Sequence, residues 1–161
     1  MKPKHENFAF IDSQNLNLGI RDQGWELDFS RFHRYIVDRF SVGKVFLFIG
    51  FVPDNQPLYT YLQKTGYILI FKPTLKLPGE KVKGNVDAEL VLHAMIEFPH
   101  YKKAVIVTGD GDFHCLVEYL ESKKKLERLI VPNKFKYSSL LRRFEKQITF
   151  LNNTGEKLGR K

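Results

Sequence analysis

Residues 104–113 read Ala-Val-Ile-Val-Thr-Gly-Asp-Gly-Asp-Phe. Four consecutive apolar residues, two of them valine and one isoleucine, have the composition of a strand buried on both faces, and Thr108-Gly109-Asp110 closes it with turn-forming residues. Phe113, Leu116, Val117 and Leu120 then recur at spacings of three and four, the period of an amphipathic helix. The stretch is a strand, a tight turn carrying two acids, and a helix. Working outward, the same kind of short apolar run appears at Phe8–Ile11, Val45–Val52, Tyr67–Phe71 and Leu129–Val131. Helical periodicity lies between them at Phe29, Phe32, Ile36, Val37 and Phe40, and at Leu90, Ala94 and Met95. Parallel neighbours need helix-sized crossovers, so this order predicts an α/β three-layer sandwich with a mainly parallel sheet of five to six strands. The sixth strand is expected near Ile148–Leu151, at the edge.

The chain has 161 residues, about the size of one domain. The expected organisation is a single domain over residues 1–151 and a polar, frayed tail over 152–161. No internal repeat is visible. The composition, 43% hydrophobic with 11 Gly and 7 Pro, excludes a mainly disordered or collagen-like chain. A single cysteine, Cys115, cannot form an intramolecular disulfide, and MKPKHENFAF lacks the apolar core of a signal peptide, so the expected compartment is the cytoplasm. The longest apolar run is far shorter than the ~20 residues of a membrane span.

In doubly wound sheets ligands bind beyond the C-terminal ends of the strands, where the strand order reverses. Asp12 ends the first expected strand, Asp110 and Asp112 follow the fourth, and Asp87 opens a helix. With strands one and four adjacent, ~4.8 Å apart, Asp12 and Asp110 would stand side by side. Such carboxylates repel unless one takes a proton or a cation neutralises them, and hard divalent ions such as Mg²⁺ and Mn²⁺ favour oxygen ligands. Each acid also has a plainer reading: Asp112 as a helix cap, Asp87 as a charge favoured in a first helical turn. Four of them on one sheet edge, with no Lys or Arg adjacent in sequence to Asp12, Asp110 or Asp112, favour the metal site. No Ser/His/Asp pattern surrounds Ser13, and the five histidines lack zinc-ligand spacing.

Three blocks, Ile11-Asp12-Ser13-Gln14-Asn15-Leu16, Lys83-Gly84-Asn85-Val86-Asp87 and Val107-Thr108-Gly109-Asp110-Gly111-Asp112-Phe113, together resemble the signature blocks of NYN-domain (LabA-like) proteins of the PIN-like nuclease superfamily. The resemblance covers roughly residues 7–150. It implies a Rossmann-like PIN fold and a nuclease that hydrolyses RNA phosphodiesters with one or two divalent ions, Mg²⁺ or Mn²⁺. It implies that Asp12, Asp87, Asp110 and Asp112 are metal ligands, directly or through water. Asn15 would orient substrate or a water, and Thr108 would support the site, with Ser13 beside it. Relatives often carry a further Asp in the helix after the second block, where this chain has His93.

The 26 Lys+Arg against 18 Asp+Glu leave a charge of +8, which favours a polyanionic partner. Lys72, Lys76, Lys81 and Lys83 lead into the helix that carries Asp87. Lys134, Lys136, Arg142 and Arg143 follow the fifth strand with Phe135 and Tyr137 interleaved. The first group is expected to hold an RNA backbone and the second to combine phosphate contacts with stacking on unpaired bases of single-stranded or structured RNA. Arg142 and Arg143 could equally form the polar face of a helix whose core side is Leu140, Leu141 and Phe144. Trp25 reads as packing. The two functional classes that fit are a metal-dependent ribonuclease and a non-catalytic RNA-binding module on the same fold.

Overall fold

The computed structural model describes residues 4–73 and 86–161. Six strands, β1 (Asn7–Asp12), β2 (Val42–Phe51), β3 (Tyr67–Pro73), β4 (Ala104–Val107), β5 (Leu126–Val131) and β6 (Ile148–Phe150), form one sheet in the order β3-β2-β1-β4-β5-β6. Every pairing is parallel. The chain winds outward from β1 to β3, then crosses back to β4 beside β1 and winds the other way. The order therefore reverses between β1 and β4.

Alternation along β1 shows why both faces must be covered. Phe8 and Phe10 point into one core with Phe46, Phe48, Ala104 and Ile106, under helices α4 (Asp87–Ile96) and α5 (His114–Ser122). Ala9 and Ile11 point into the other with Val45, Leu47, Val105 and Val107, under α1 (Ser13–Arg21), α2 (Phe29–Phe40) and α3 (Gln56–Thr65). Successive strand residues face opposite sides, so a continuous apolar run feeds two cores. Phe10 lies at the centre of the first, stacked on Phe46 with ring centroids 5.2 Å apart and planes 4° from parallel. Phe10→Ala should cost about 3–5 kcal/mol, read as a lower denaturation midpoint at unchanged slope.

The structure adds two helices and corrects two expectations. Helices α1 and α3 were not visible in the sequence because each buries few apolar side chains, Leu16 and Ile20 in one and Tyr59 and Leu62 in the other. Residues 152–161 do not fray: α6 (Gly155–Leu158) buries Leu158, and Gly159 bridges to Leu27. The segment Ser139–Gln147 is a 3-10 helix, whose period of three buries Leu141 and Phe144 and leaves Leu140 54% exposed. Among the described residues no helix is long and apolar enough to cross a membrane.

Candidate metal centre

Asp12 is the last residue of β1, and its register partner on β2 is Phe48, so its carboxyl points toward the α4 side of the sheet. Ile11 pairs with Val107 on β4, which brings Thr108 alongside Asp12. The Thr108 hydroxyl donates to Asp12 Oδ2 at 3.2 Å, and Asn15 N donates to Oδ1 at 3.2 Å, so Asp12 also caps α1. Thr108 Oγ1 in turn accepts from Asp110 N at 3.1 Å, and Asn15 Oδ1 accepts from Gly109 N at 2.7 Å. The β1–α1 and β4–α5 turns are thus laced together. Asp110 accepts from Asp112 N at 2.9 Å and caps the 3-10 turn Gly111–Phe113. Ser138 packs so close to Gly111 that a β-carbon there would run into its hydroxyl oxygen, so this turn requires glycine.

These turns converge with the first turn of α4. One carboxylate oxygen each from Asp12, Asp87 and Asp110 lie within 4.8 Å of one another. They share a cleft of about 220 Å³ with Gln14, Asn15, Leu18 and Val86. Burial raises the pKa of Asp12 above the ordinary carboxylate value, more than its hydrogen bonds lower it. Asp87 is pushed up to about 6, first by desolvation, then by the charges of Asp110 and Asp12 and by a hydrogen bond with Asp112 that favours its protonated form. Three carboxyls at this spacing cannot all be charged without cost. The donor set is hard oxygen, aimed into one space, and fits a divalent cation of the Mg²⁺ or Mn²⁺ type.

Asp112 lies at the rim, exposed and bonded to Asp87 rather than within the triad. Ser13 is buried and does not line the cleft. His93 packs its ring on Phe48, with centroids 5.7 Å apart, and is not among the clustered ligands. Lys72 stands near the C-terminal end of β3, two strands from β1 on the same sheet edge. Lys134 and Lys136 follow β5 on that edge, exposed, with Lys136 bridged to Asp22 at 3.2 Å. Arg142 is exposed, and Arg143 reaches Glu118 at 3.6 Å. Lys76, Lys81 and Lys83 lie outside the described residues. Gln14 and Leu18 line the cleft without having been singled out, because nothing in their sequence neighbourhood distinguishes a helix-start polar residue from any other.

A model of the NYN domain family matches residues 8–152, which includes the sheet from Phe8 onward and all three clustered acids. This chain belongs to the NYN domain family. Among curated proteins, the chain is similar to the low amplitude and bright protein LabA of Synechococcus elongatus. The two are 26% identical over 125 residues, 71% of this chain and 67% of LabA. Among solved structures, it resembles a protein of unknown function from Vibrio parahaemolyticus. The TM-score is 0.74 at 22% identity, covering 95% of this chain and 98% of that one, a likeness of fold. The NYN domain here places its three clustered acids at the point where the sheet changes direction.

Proposed function

We propose that this NYN domain is a metal-dependent ribonuclease, an endonuclease that hydrolyses RNA phosphodiesters at the Asp12/Asp87/Asp110 cluster. The observation that carries the reading is the convergence of three carboxyls within 4.8 Å at the β1/β4 reversal, in one shared cleft. Asp12, Asp87 and Asp110 would hold Mg²⁺ or Mn²⁺, one ion or two, with Asp112 engaged through water at the rim. When bound, the ion supplies Lewis acidity toward the phosphate and acidifies the attacking water. Asn15 has committed its oxygen to Gly109, which leaves its amide nitrogen to donate to a phosphate oxygen. Thr108 holds the Asp12 carboxyl in place and so acts as a positioning residue. A module that only bound RNA would gain nothing from three acids repelling phosphate inside its own groove, and this favours the enzyme over the binder.

Incubating the protein with single-stranded RNA, structured RNA and DNA, in Mn²⁺, Mg²⁺ or chelator, tests the reading. Internal cleavage of RNA that chelator abolishes is the expected result. RNA that is bound but intact in either metal would point instead to the non-catalytic RNA-binding module. The basic surface has its own test. Lys134 and Lys136 are assigned to the phosphate backbone, and replacing both by Ala should lower the slope of log affinity against log salt by about 1.4, roughly 0.7 per lost contact on a single strand. An unchanged slope in a filter-binding titration would move the phosphate contacts elsewhere, with Lys72, Arg142 and Arg143 the next to test.

A further inference from the structure

Beyond the acids, the same sheet edge carries a larger cleft of about 890 Å³, bounded by residues 22–25, by the loop after β5 and by the C-terminal segment. Its floor is built rigidly. Asn133 is buried, and its side-chain oxygen accepts from Phe135 N at 3.0 Å and from Asn152 Nδ2 at 3.2 Å. Asn152 Oδ1 accepts from Lys134 N at 2.9 Å, and Gln23 Nε2 donates to the Pro132 carbonyl at 2.7 Å. Trp25 forms one wall, its ring laid against Gly155 and Gly159, where β-carbons would stand 3.4 and 3.3 Å from it. Phe135 lines the same cleft and projects into solvent, 79% exposed, although the backbone beneath it is hydrogen-bonded to Asn133.

Among the described residues Phe135 is the most exposed of the large apolar side chains. Lys134 Nζ stands 5.1 Å from its ring centroid and can cover only one face. Cations stand at the cleft's edge: Lys136 pairs with Asp22 across an exposed bridge, and Arg160 with Glu26 at 3.5 Å. An aromatic platform with an indole lining the same cleft suits a flat heterocycle, with these cations near the flanking phosphates. Two residues beyond Phe135, Tyr137 rests against Gly109 and its ring packs on Phe150, and Ser138 N donates to the Gly109 carbonyl at 3.0 Å. Consecutive Cα atoms are ~3.8 Å apart, so the platform is tied to the Asp110 turn by a short, taut piece of chain.

We infer that this cleft captures one unpaired nucleobase of the strand whose backbone passes the acidic cluster, stacked on Phe135 in the cleft that Trp25 also lines. The inference rests on the reading of the domain as an RNA-processing one, and adds that the substrate must be single-stranded a few nucleotides from the scissile phosphate. Stacking accepts any base, so the cleft fixes strandedness and register rather than sequence.

Trp25 is the chain's one tryptophan, which makes its fluorescence a direct reporter. In chelator, so that no hydrolysis runs, the protein is titrated with short oligoadenylate, with adenosine monophosphate and with a duplex of the oligomer's length. Saturable quenching by oligoadenylate, more weakly by the monophosphate and not by the duplex, is expected for the wild type. Phe135→Ala should weaken oligoadenylate binding roughly 5- to 100-fold, and Phe135→Tyr should restore most of it. Filter retention of the same strand separates the two readings. If both wild type and Phe135→Ala retain it with equal affinity, the base cleft is overturned while RNA binding stands. If neither retains it and the monophosphate leaves the emission unchanged, both fall.

Discussion

Asp12→Asn should bind single-stranded RNA at least as tightly as the wild type and cleave it more than ~100-fold more slowly. Removing a partner that only orients a metal ligand commonly costs 10- to 100-fold, and Asp12 is proposed as a ligand itself, so its loss should exceed that range. Binding should survive because the substitution removes negative charge from a groove that must admit phosphate. The fold should survive as well: Asn is isosteric, its side-chain oxygen can still cap α1 through Asn15 N, and it can still accept from Thr108 only by choosing between the two bonds. Thr108→Val gives the contrast. It keeps every carboxyl but frees Asp12 to turn and leaves Asp110 N without its partner, so cleavage should fall by less than in Asp12→Asn. Single-turnover cleavage at saturating protein, with binding measured in chelator, separates the two effects. Wild-type rates in Asp12→Asn would remove the cluster from the chemistry.

The strand–turn–helix reading of residues 104–113 carried further than any other stretch, for a physical reason. A strand buried on both faces has no polar residue to blur its ends, so the first polar groups after Ile11 and Val107 fall where the sheet stops and the ligand edge begins. Adjacency of β1 and β4, only a condition in the sequence, is the order the sheet adopts, and the register places Thr108 against Asp12. Less legible were elements whose burial is set by a distant partner. Helix α1, rich in Asn and Gln, is specified by the Asp12 cap and by Leu16 and Ile20 meeting the sheet. The C-terminal segment is held by Leu158 entering the core and by Arg160 N reaching the Glu26 carbonyl, contacts across the length of the chain that no local pattern encodes. Asp112 shows what spacing leaves open at the site: it groups Asp112 with Asp110, and the turn at Gly111 sets the side chain at the exposed rim, hydrogen-bonded to Asp87.

Divalent metal should stabilise the fold, and the size of the effect should depend on both pH and Asp110. A cation that binds only the native state at a hundredfold excess over its dissociation constant contributes about 2.7 kcal/mol, and a domain of this length gains roughly 2–4 °C per kcal/mol, so the wild-type Tm should rise by about 5–10 °C in Mn²⁺ at neutral pH. Without metal the acids oppose one another, and the sign follows from Asp87. Its folded pKa of about 6 lies above its ordinary value of 3.8, so the native state holds that proton more tightly than the unfolded chain. The stability this provides is complete below about pH 4 and is lost as pH rises through about 6. Cation and proton compete for the same carboxyl, so the metal-induced rise should be small near pH 5 and approach its full size above pH 7. Asp110→Asn removes the largest neighbouring charge acting on Asp87. In that variant the metal-free loss of stability should shift to lower pH, the metal-free protein should melt above the wild type at neutral pH, and most of the rise in Mn²⁺ should disappear. Melting curves of both proteins across pH 4–8, in chelator and in metal, test all three together. A wild type whose Tm ignores millimolar Mn²⁺ at neutral pH, or an Asp110→Asn that keeps the full rise, would mean that the three carboxyls do not share a cation and that their crowding is resolved by protons alone.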